Sequence, residues 1–345
     1  MPELRQDPAT REWIVVATER AKRPQDFSTP PDPRREARPP YCPTCPFCEG
    51  NESQTPPEHF AFRDGGEPNR PGWKVRVVPN KFPALVPMGD LTRRHESGFF
   101  RKADGVGHHE VIVETPRHDL DIATMDTAQI ELAVFAYRQR YCELRSDPRV
   151  EIVIIFRNHG TAAGTSLVHP HSQLIATPVV PNLIRERFEA ASNYYDDTGL
   201  CLQRVILEKE LEVGRRVVDQ NESFVAFHPF ASRQPFETWI MPRNIQPSFG
   251  NVTDDECRRF ASILKRSLYR LHKGLNDPDF NFVIHTAPVR DEDQKYYGWY
   301  LQILPRITTT AGFEIGSGMS INISLPEQTA DFIKQIEVPE ELVRT

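Results

Sequence analysis

Asn158-His-Gly-Thr-Ala-Ala-Gly164-Thr-Ser166-Leu-Val-His169-Pro-His171-Ser-Gln173 decides how this chain is read. In an extended strand, residues at i, i+2 and i+4 point the same way, so His169, His171 and Gln173 share one face. Pro170 cannot donate to a ladder, which predicts an edge or bulged position with open backbone beside it. Upstream, Asn158 to Ser166 is a loop of small residues whose backbone amides, with the Ser166 hydroxyl, suit phosphate oxygens. A neutral imidazole held in one orientation can attack phosphorus, and His171 is the candidate nucleophile. Its other nitrogen would be set by a backbone carbonyl, and Gln173 would donate to the phosphoryl oxygens as charge shifts. The competing reading is a hydrogen-bonded structural pair of histidines.

Short β-branched runs surround this segment: Trp13 to Ala17, Lys74 to Val78, Glu110 to Val113, Glu151 to Phe156 and Ser172 to Ala176. They predict an antiparallel sheet. Between the third and fourth, Ile130, Val134, Tyr137, Tyr141 and Leu144 form a helical stripe, with Asp126 and Gln129 placed as a capping pair. A second helix starts at Thr253, capped with Glu256, and buries Phe260, Leu264, Leu268 and Leu271. Strand-like segments flank it: Phe236 to Pro242, Phe280 to His285 and Tyr297 to Pro305. The order strand, helix, strand, strand thus occurs twice, and an internal duplication follows. The join falls near residues 180 to 200, giving units 1–185 and 186–345. The second copy has no histidine where the first has two, so the chemistry belongs to the first.

The 345 residues suffice for two such units, each with its own core. With 39% hydrophobic and 26% charged residues, and no apolar run long enough to span a bilayer, a soluble globular protein is expected. The start, Met1-Pro-Glu-Leu-Arg-Gln-Asp, lacks a secretory pattern, and a cytoplasmic location with reduced thiols is expected. A net charge of −6 with dispersed basic residues argues against a nucleic-acid footprint but leaves small anionic ligands open.

Ten prolines lie between Pro24 and Pro57, too many for a helix or central strand, so an irregular connection must be pinned there. Cys42, Cys45 and Cys48 fall inside it as two overlapping Cys-x-x-Cys pairs, whereas Cys142, Cys201 and Cys257 stand alone. Zinc favours two cysteines and two histidines in tetrahedral array, which gives Cys45, Cys48 and His169 a shared role. His118, His109 or His108 would supply a fourth ligand, and spacing does not choose among them. Loop thiols without a metal are the plain alternative.

Cys45-Pro-Phe-Cys48-Glu-Gly50-Asn51, the run Asn158 to Gln173 and Arg20-Ala-Lys-Arg23-Pro together resemble the galactose-1-phosphate uridylyltransferase family over most of the chain. The resemblance implies an α+β fold, a duplicated histidine-triad (HIT-like) arrangement with an antiparallel sheet and packed helices, usually as a homodimer. It implies a ping-pong reaction in which UDP-glucose leaves a uridylyl group on His171 and galactose 1-phosphate collects it. It also implies zinc at Cys45, Cys48, His118 and His169. Ser166 and Gln173 match phosphate-contacting residues, with Asn158 and Gly164 in the same segment, and Asn80 matches a residue near the nucleotide. Arg20 and Arg23 match arginines that reach the neighbouring subunit's phosphates. Glu314 matches a hexose-contacting acid, a place where a surface carboxylate is the plain alternative.

The second half departs from the family pattern. Some members carry a His-x-His there that contributes to an iron site; here Tyr300 and Gln302 stand in those places, so no iron is expected, and His285 becomes a packed or hydrogen-bonded strand histidine. A lysine that helps hold the hexose in some members is Thr308 here. A related branch with the Cys-Pro-Phe-Cys form transfers adenylyl from ADP-glucose to phosphate and resembles the chain almost as well. A zinc-stabilised nucleotide- or RNA-binding module without catalysis is the reading from another class.

Overall fold

The structure, a computed structural model, describes residues 1–17, 24–28 and 38–343. Among them, ten strands form one sheet: β1 (Phe60–Arg63), β2 (Trp73–Pro79), β3 (His108–Val113), β4 (Ile152–His159), β5 (His171–Thr177), β6 (Val217–Gln220), β7 (Phe224–Phe227), β8 (Thr238–Pro242), β9 (Phe280–His285) and β10 (Tyr300–Pro305). Their spatial order is β6-β7-β8-β10-β9-β4-β5-β3-β2-β1, and every pairing is antiparallel. The first five strands lie in the order 1-2-3-5-4 and the second five in the equivalent order 6-7-8-10-9. The equivalent strands β4 and β9 join the halves, Asn158 opposite Asn281 and Ile155 opposite Ile284.

The repeat extends to the helices. Helix α1 (Thr127–Leu144) crosses from β3 to β4, and α4 (Asp254–Leu275) crosses from β8 to β9. Both lie on one face of the sheet, where Tyr137, Tyr141, Phe260 and Leu264 share a core with Val75, Ile112, Leu174, Ile240, Phe282 and Leu301. Strand side chains alternate between faces, which sends Leu174 and Ala176 into that core and leaves His171 and Gln173 on the opposite face. The opposite face is covered differently in the two halves. Helices α2 (Asn182–Thr198) and α3 (Leu202–Val213) cover the second half over Phe227, Trp239, Met241 and Tyr300. In the first half the cysteine loop does so, packing Cys45, Phe47 and Cys48 on Trp73, Val78, Val111 and Val113.

Three local expectations change. The Thr253 cap of α4 forms as a reciprocal capping box with Glu256, but Asp126 makes no side-chain cap on α1. Gln129 instead donates to the carbonyls of Lys74 at 2.7 Å and Glu114 at 2.6 Å, tying the helix to its sheet where an unpaired carbonyl would be costly. Pro170 is not at an edge: β5 is paired on both sides, and the proline sits just before its first residue. The chain thereby keeps every ladder bond of a central strand while the histidine segment enters it from outside. The run from Trp13 lies apart, in a small sheet of Glu3–Gln6, Trp13–Val16 and Ile321–Asn322. Among the described residues no helix is long and apolar enough to cross a membrane.

The approach of β3 to β5 requires a glycine. Gly107 has φ +152°, and a Cβ there would lie 2.3 Å from the Ala176 carbonyl oxygen and 2.9 Å from Leu85 Cδ1. Gly107→Ala is expected to destabilise the protein by more than about 2 kcal/mol in urea denaturation, whereas Gly312→Ala, with open space around it, is expected to stay within about 0.5 kcal/mol. Equal midpoints for both variants would contradict this packing.

Candidate functional site

The cysteine loop builds itself around one side chain. Asn51 donates to the carbonyls of Cys42, Pro43 and Cys45, the last at 2.8 Å, which folds the Cys-x-x-Cys turn back on itself. Glu52 then accepts from Trp73 Nε1 at 2.8 Å and anchors the turn to β2. Ligand atoms of Cys45, Cys48, His118 and His169 come within 4.8 Å of one another, a group able to hold a metal ion. His118 Nδ1 and His169 Nδ1 are 3.3 Å apart, and Cys48 Sγ is 3.5 Å and 3.6 Å from them. His169 Nε2–H donates to the Thr115 carbonyl at 2.8 Å, so the lone pair of Nδ1 faces the cluster. Burial pushes the Cys45 thiol up to about 12 and the His169 imidazole down to about 3. Both shifts record the cost of burying charge there; a bound cation would reverse the first by favouring the thiolate and reinforce the second, since it binds the neutral imidazole.

The other two histidines offered as fourth ligand lie elsewhere. His108 Nε2 faces Asp147 at 3.2 Å. His109 accepts the Ala84 N–H at Nδ1 (3.1 Å), and its Nε2–H therefore donates to Gln173 Oε1 at 2.9 Å. Cys42 lies outside the cluster; its thiol sits 3.3 Å from the Thr44 hydroxyl.

His171 opens β5 and is buried, 8% exposed, with its ring 5.2 Å from that of Phe47. Its Nδ1 lies 2.7 Å from the His169 carbonyl oxygen. A carbonyl only accepts, so Nδ1 carries the proton and Nε2 holds a lone pair. Burial lowers its pKa to about 4, more than the carbonyl bond raises it, and the ring is neutral near pH 7. Gln173, two residues on, has its oxygen occupied by His109, which leaves its NH2 group as the donor end.

His171 and Ser166 line two cavities. One, of about 500 Å³, has walls of Phe47, Val78, Phe82 and Val111 with Asn80 and Gln173 as polar groups. The other, of about 240 Å³, is lined by Arg38, Asn158, Gly160, Thr161 and Thr165. The small-residue loop between them bends at Gly160 and Gly164, whose φ values of +85° and +87° favour glycine. The second half clamps this loop: Asn281 Nδ2 donates to Asn158 Oδ1 at 2.8 Å and to the Ala163 carbonyl at 2.9 Å. Below it, buried Arg157 pairs with Glu114 and, at 3.0 Å, with Asp121. Glu114 also accepts from Ser172 at 2.5 Å, so one carboxylate fixes the corner of β3, β4 and β5 beneath the histidines.

His171, Gln173, Ser166, Asn80 and Asn158 are thus brought together around the two cavities. Exposed Gly164 shapes the loop without lining either. Glu314 lines neither; its carboxylate caps the short helix Gly312–Ser317, accepting from Ala311 N at 2.9 Å and Ile321 N at 3.2 Å. Arg20 and Arg23 lie outside the described residues. Phe47, Phe82, Arg38 and Asn281 were missed as site residues, and His109, weighed only as a zinc ligand, orients Gln173 instead; a lone asparagine within Phe280-Asn-Phe-Val-Ile was the signal for Asn281. In β10, Tyr300 and Gln302 hold the first and third places that His171 and Gln173 hold in β5. His285 Nε2–H donates to Gln302 Oε1 at 2.8 Å, and Gln302 Nε2 donates to buried Glu237 at 2.6 Å, the hydrogen-bonded strand histidine expected.

His159, at the end of β4, sits between Asp121 (2.7 Å) and Asp277 (3.1 Å). Burial opposes its charge, but the carboxylates outweigh burial and raise its pKa above the usual 6.5. A raised histidine stabilises the fold fully below its unfolded pKa and loses that contribution as pH climbs through its folded one. The stability difference between wild type and His159→Gln is therefore expected to be largest below about pH 6.5 and to shrink as pH rises above it. Denaturant melts at a series of pH values read this directly, and a gap that widens with pH would contradict it.

A family model described as the N-terminal domain of galactose-1-phosphate uridyl transferase matches residues 1–181. The chain is 34% identical over 340 residues to ADP-glucose phosphorylase of Arabidopsis thaliana, covering 98% of this chain and 93% of that protein. It is 28% identical over 347 residues to galactose-1-phosphate uridylyltransferase of Thermotoga maritima, covering 98% and 99%. The crystal structure of the Arabidopsis ADP-glucose phosphorylase with bound ADP-glucose superposes with TM-score 0.82 at 32% identity, covering 98% of this chain and all of that one. A uridylyltransferase structure superposes with TM-score 0.73 at 28% identity, covering 100% and 99%. With the two-histidine segment, the cysteine loop and the duplicated sheet all in place, the chain belongs to the galactose-1-phosphate uridyl transferase family.

Proposed function

We propose that the protein is a nucleotidyltransferase working through His171, and that its reaction is uridylyl transfer from UDP-glucose to a hexose 1-phosphate. The observation that carries the mechanism is the 2.7 Å bond from His171 Nδ1 to the His169 carbonyl, which presents Nε2 as an oriented, unprotonated nucleophile. Nε2 attacks the α-phosphorus, an N–P bond forms, and the bond to the bridging oxygen breaks to release the hexose 1-phosphate as an anion. An incoming hexose 1-phosphate then attacks the same phosphorus through its phosphate oxygen, and the N–P electrons return to Nε2. The Gln173 NH2 group and the Ser166 hydroxyl would donate to the non-bridging oxygens, where charge grows in each step. The apolar cavity beside Asn80 suits a nucleoside and the cavity beside Asn158 and Arg38 suits a phosphate and sugar, with His171 on the wall of both.

Zinc fits the donor set: two thiols and two Nδ1 atoms, one imidazole already oriented by its second nitrogen. Cys45, Cys48, His118 and His169 would hold it, and its role would be to fix the His169 backbone from which His171 is oriented. A homodimer in which Arg20 and Arg23 reach the other copy's phosphates remains part of the proposal, supported by exposed Phe82, Phe99 and Phe100. Glu314 is carried as a hexose contact on the resemblance alone. Units 1–185 and 186–345 are proposed as the catalytic copy and the copy that supports it, and the cytoplasm as the location.

A second reading, adenylyl transfer from ADP-glucose to phosphate, is favoured by one observation: identity is 34% to the phosphorylase against 28% to the uridylyltransferase. The donor decides. Protein incubated separately with UDP-glucose and ADP-glucose labelled in the α-phosphate is expected to retain acid-labile label from UDP-glucose, and His171→Ala to retain none while remaining folded. Label from ADP-glucose alone would replace the first reading by the second, and full turnover by folded His171→Ala would exclude both. Metal analysis provides a separate check: about one zinc per chain is expected, and Cys45→Ser is expected to lose it. Wild-type protein free of metal after chelator-free preparation would remove zinc from the account.

A further inference from the structure

A third cavity, of about 290 Å³, lies on the face of the sheet that carries His171, over the seam between the two halves. Its floor is β4 and β9, with Ile152, Ile154 and Val283 facing into it, and α2 forms its wall through Leu183, Ile184 and Arg187. None of these residues belongs to the machinery above. The walls are mostly aliphatic, with Tyr297 and Thr286 among them, and Arg187 and Arg233 stand in the lining with His285 and Gln302.

Arg187 is the anomaly. It is 7% exposed, and among the described residues no carboxylate comes within salt-bridge distance of it. Its Nη1 donates to His285 Nδ1 at 3.3 Å, and its Nε has no partner at all. The hydrogen bonds run on from His285 through Gln302 to Glu237, so the nearest carboxylate along this chain is two neutral side chains away. Burying a guanidinium without a directly paired anion is costly; Asp7 and Glu12 favour its charge from beyond contact distance, but its Nε is left without an acceptor, a place that a ligand carboxylate would fill. Arg233 is paired with Glu12. Pro181, the residue that precedes α2, is also in the cavity wall and offers no side-chain cap, so the helix N-terminus adds partial positive charge at the same opening.

We infer that this cavity binds a small organic carboxylate, its anionic end on Arg187 and its hydrocarbon body along Ile152, Ile154, Leu183 and Val283. A planar guanidinium offers two parallel donors to a carboxylate, and the aliphatic walls favour a ligand with a chain over a bare inorganic anion. The site is separate from the transfer chemistry and does not depend on which nucleotide the enzyme uses.

Acetate, butanoate and hexanoate, with hexan-1-ol as the uncharged control, are titrated into the full chain by calorimetry in the presence of saturating inorganic phosphate. Affinity is expected to rise roughly fourfold per added methylene while the chain fits. The alcohol is expected not to compete, and His171→Ala to bind hexanoate as wild type does. Arg187→Gln is expected to weaken binding by about 30-fold or more. Leu183→Trp, which fills the mouth from an exposed position and leaves Arg187 in place, is expected to abolish it, so a folding defect in the arginine variant does not decide the matter. Absence of saturable hexanoate binding, equal binding by hexan-1-ol, displacement by phosphate, or undiminished affinity in folded Arg187→Gln or Leu183→Trp would each overturn the inference.

Discussion

Much of this molecule depends on a single backbone carbonyl, that of His169. It accepts the Nδ1 proton of His171 and so decides which nitrogen of that ring is free. The residue that owns the carbonyl is itself held at both ring nitrogens, one on the Thr115 carbonyl and one in the cysteine–histidine cluster. Orientation therefore passes through two peptide bonds and Pro170, a residue whose fixed φ adds stiffness exactly between holder and held. Neighbouring side chains extend the same logic: His109 takes the oxygen of Gln173 as the His169 carbonyl takes the proton of His171, and each leaves one defined atom for substrate.

The sequence made much of this legible because strand alternation is a strong rule. His171 and Gln173 had to share a face, and Cys45, Cys48 and His169 were a recognisable donor set before any geometry was known. The helix starting at Thr253 declared itself through its capping box, while the similar-looking Asp126 and Gln129 misled, since Gln129 found two carbonyls of the adjacent sheet. Local patterns cannot weigh such distant partners. The same limit hid His109 and Asn281, whose roles exist only because β3 lies beside β5 and β9 beside β4. Pro170 was misplaced for a related reason: a proline forbids a donor at one residue, and a central strand can begin one residue later.

The two halves use equivalent positions for opposite ends. Where β5 presents His171 and Gln173 to the two cavities of the site, β10 stacks Tyr300 on Trp239 with ring centroids 4.5 Å apart and holds Gln302 in the lining of the third cavity. Gln302 passes hydrogen bonds from His285 to Glu237 and needs no metal ion to satisfy its amide. What the second half contributes to the first is position, through Asn281 on the glycine loop and Asp277 on His159.

The pairing of β4 with its counterpart β9 has the form of an isologous contact, the same strand from each of two like partners meeting about a local two-fold axis. Here both partners are in one polypeptide. Two separate identical subunits must change together, since one gene writes both; two tandem copies are written independently. That freedom lets one copy of the strand keep a nucleophile while its twin is remade as a buttress, and it turns a symmetric scaffold into a directional one.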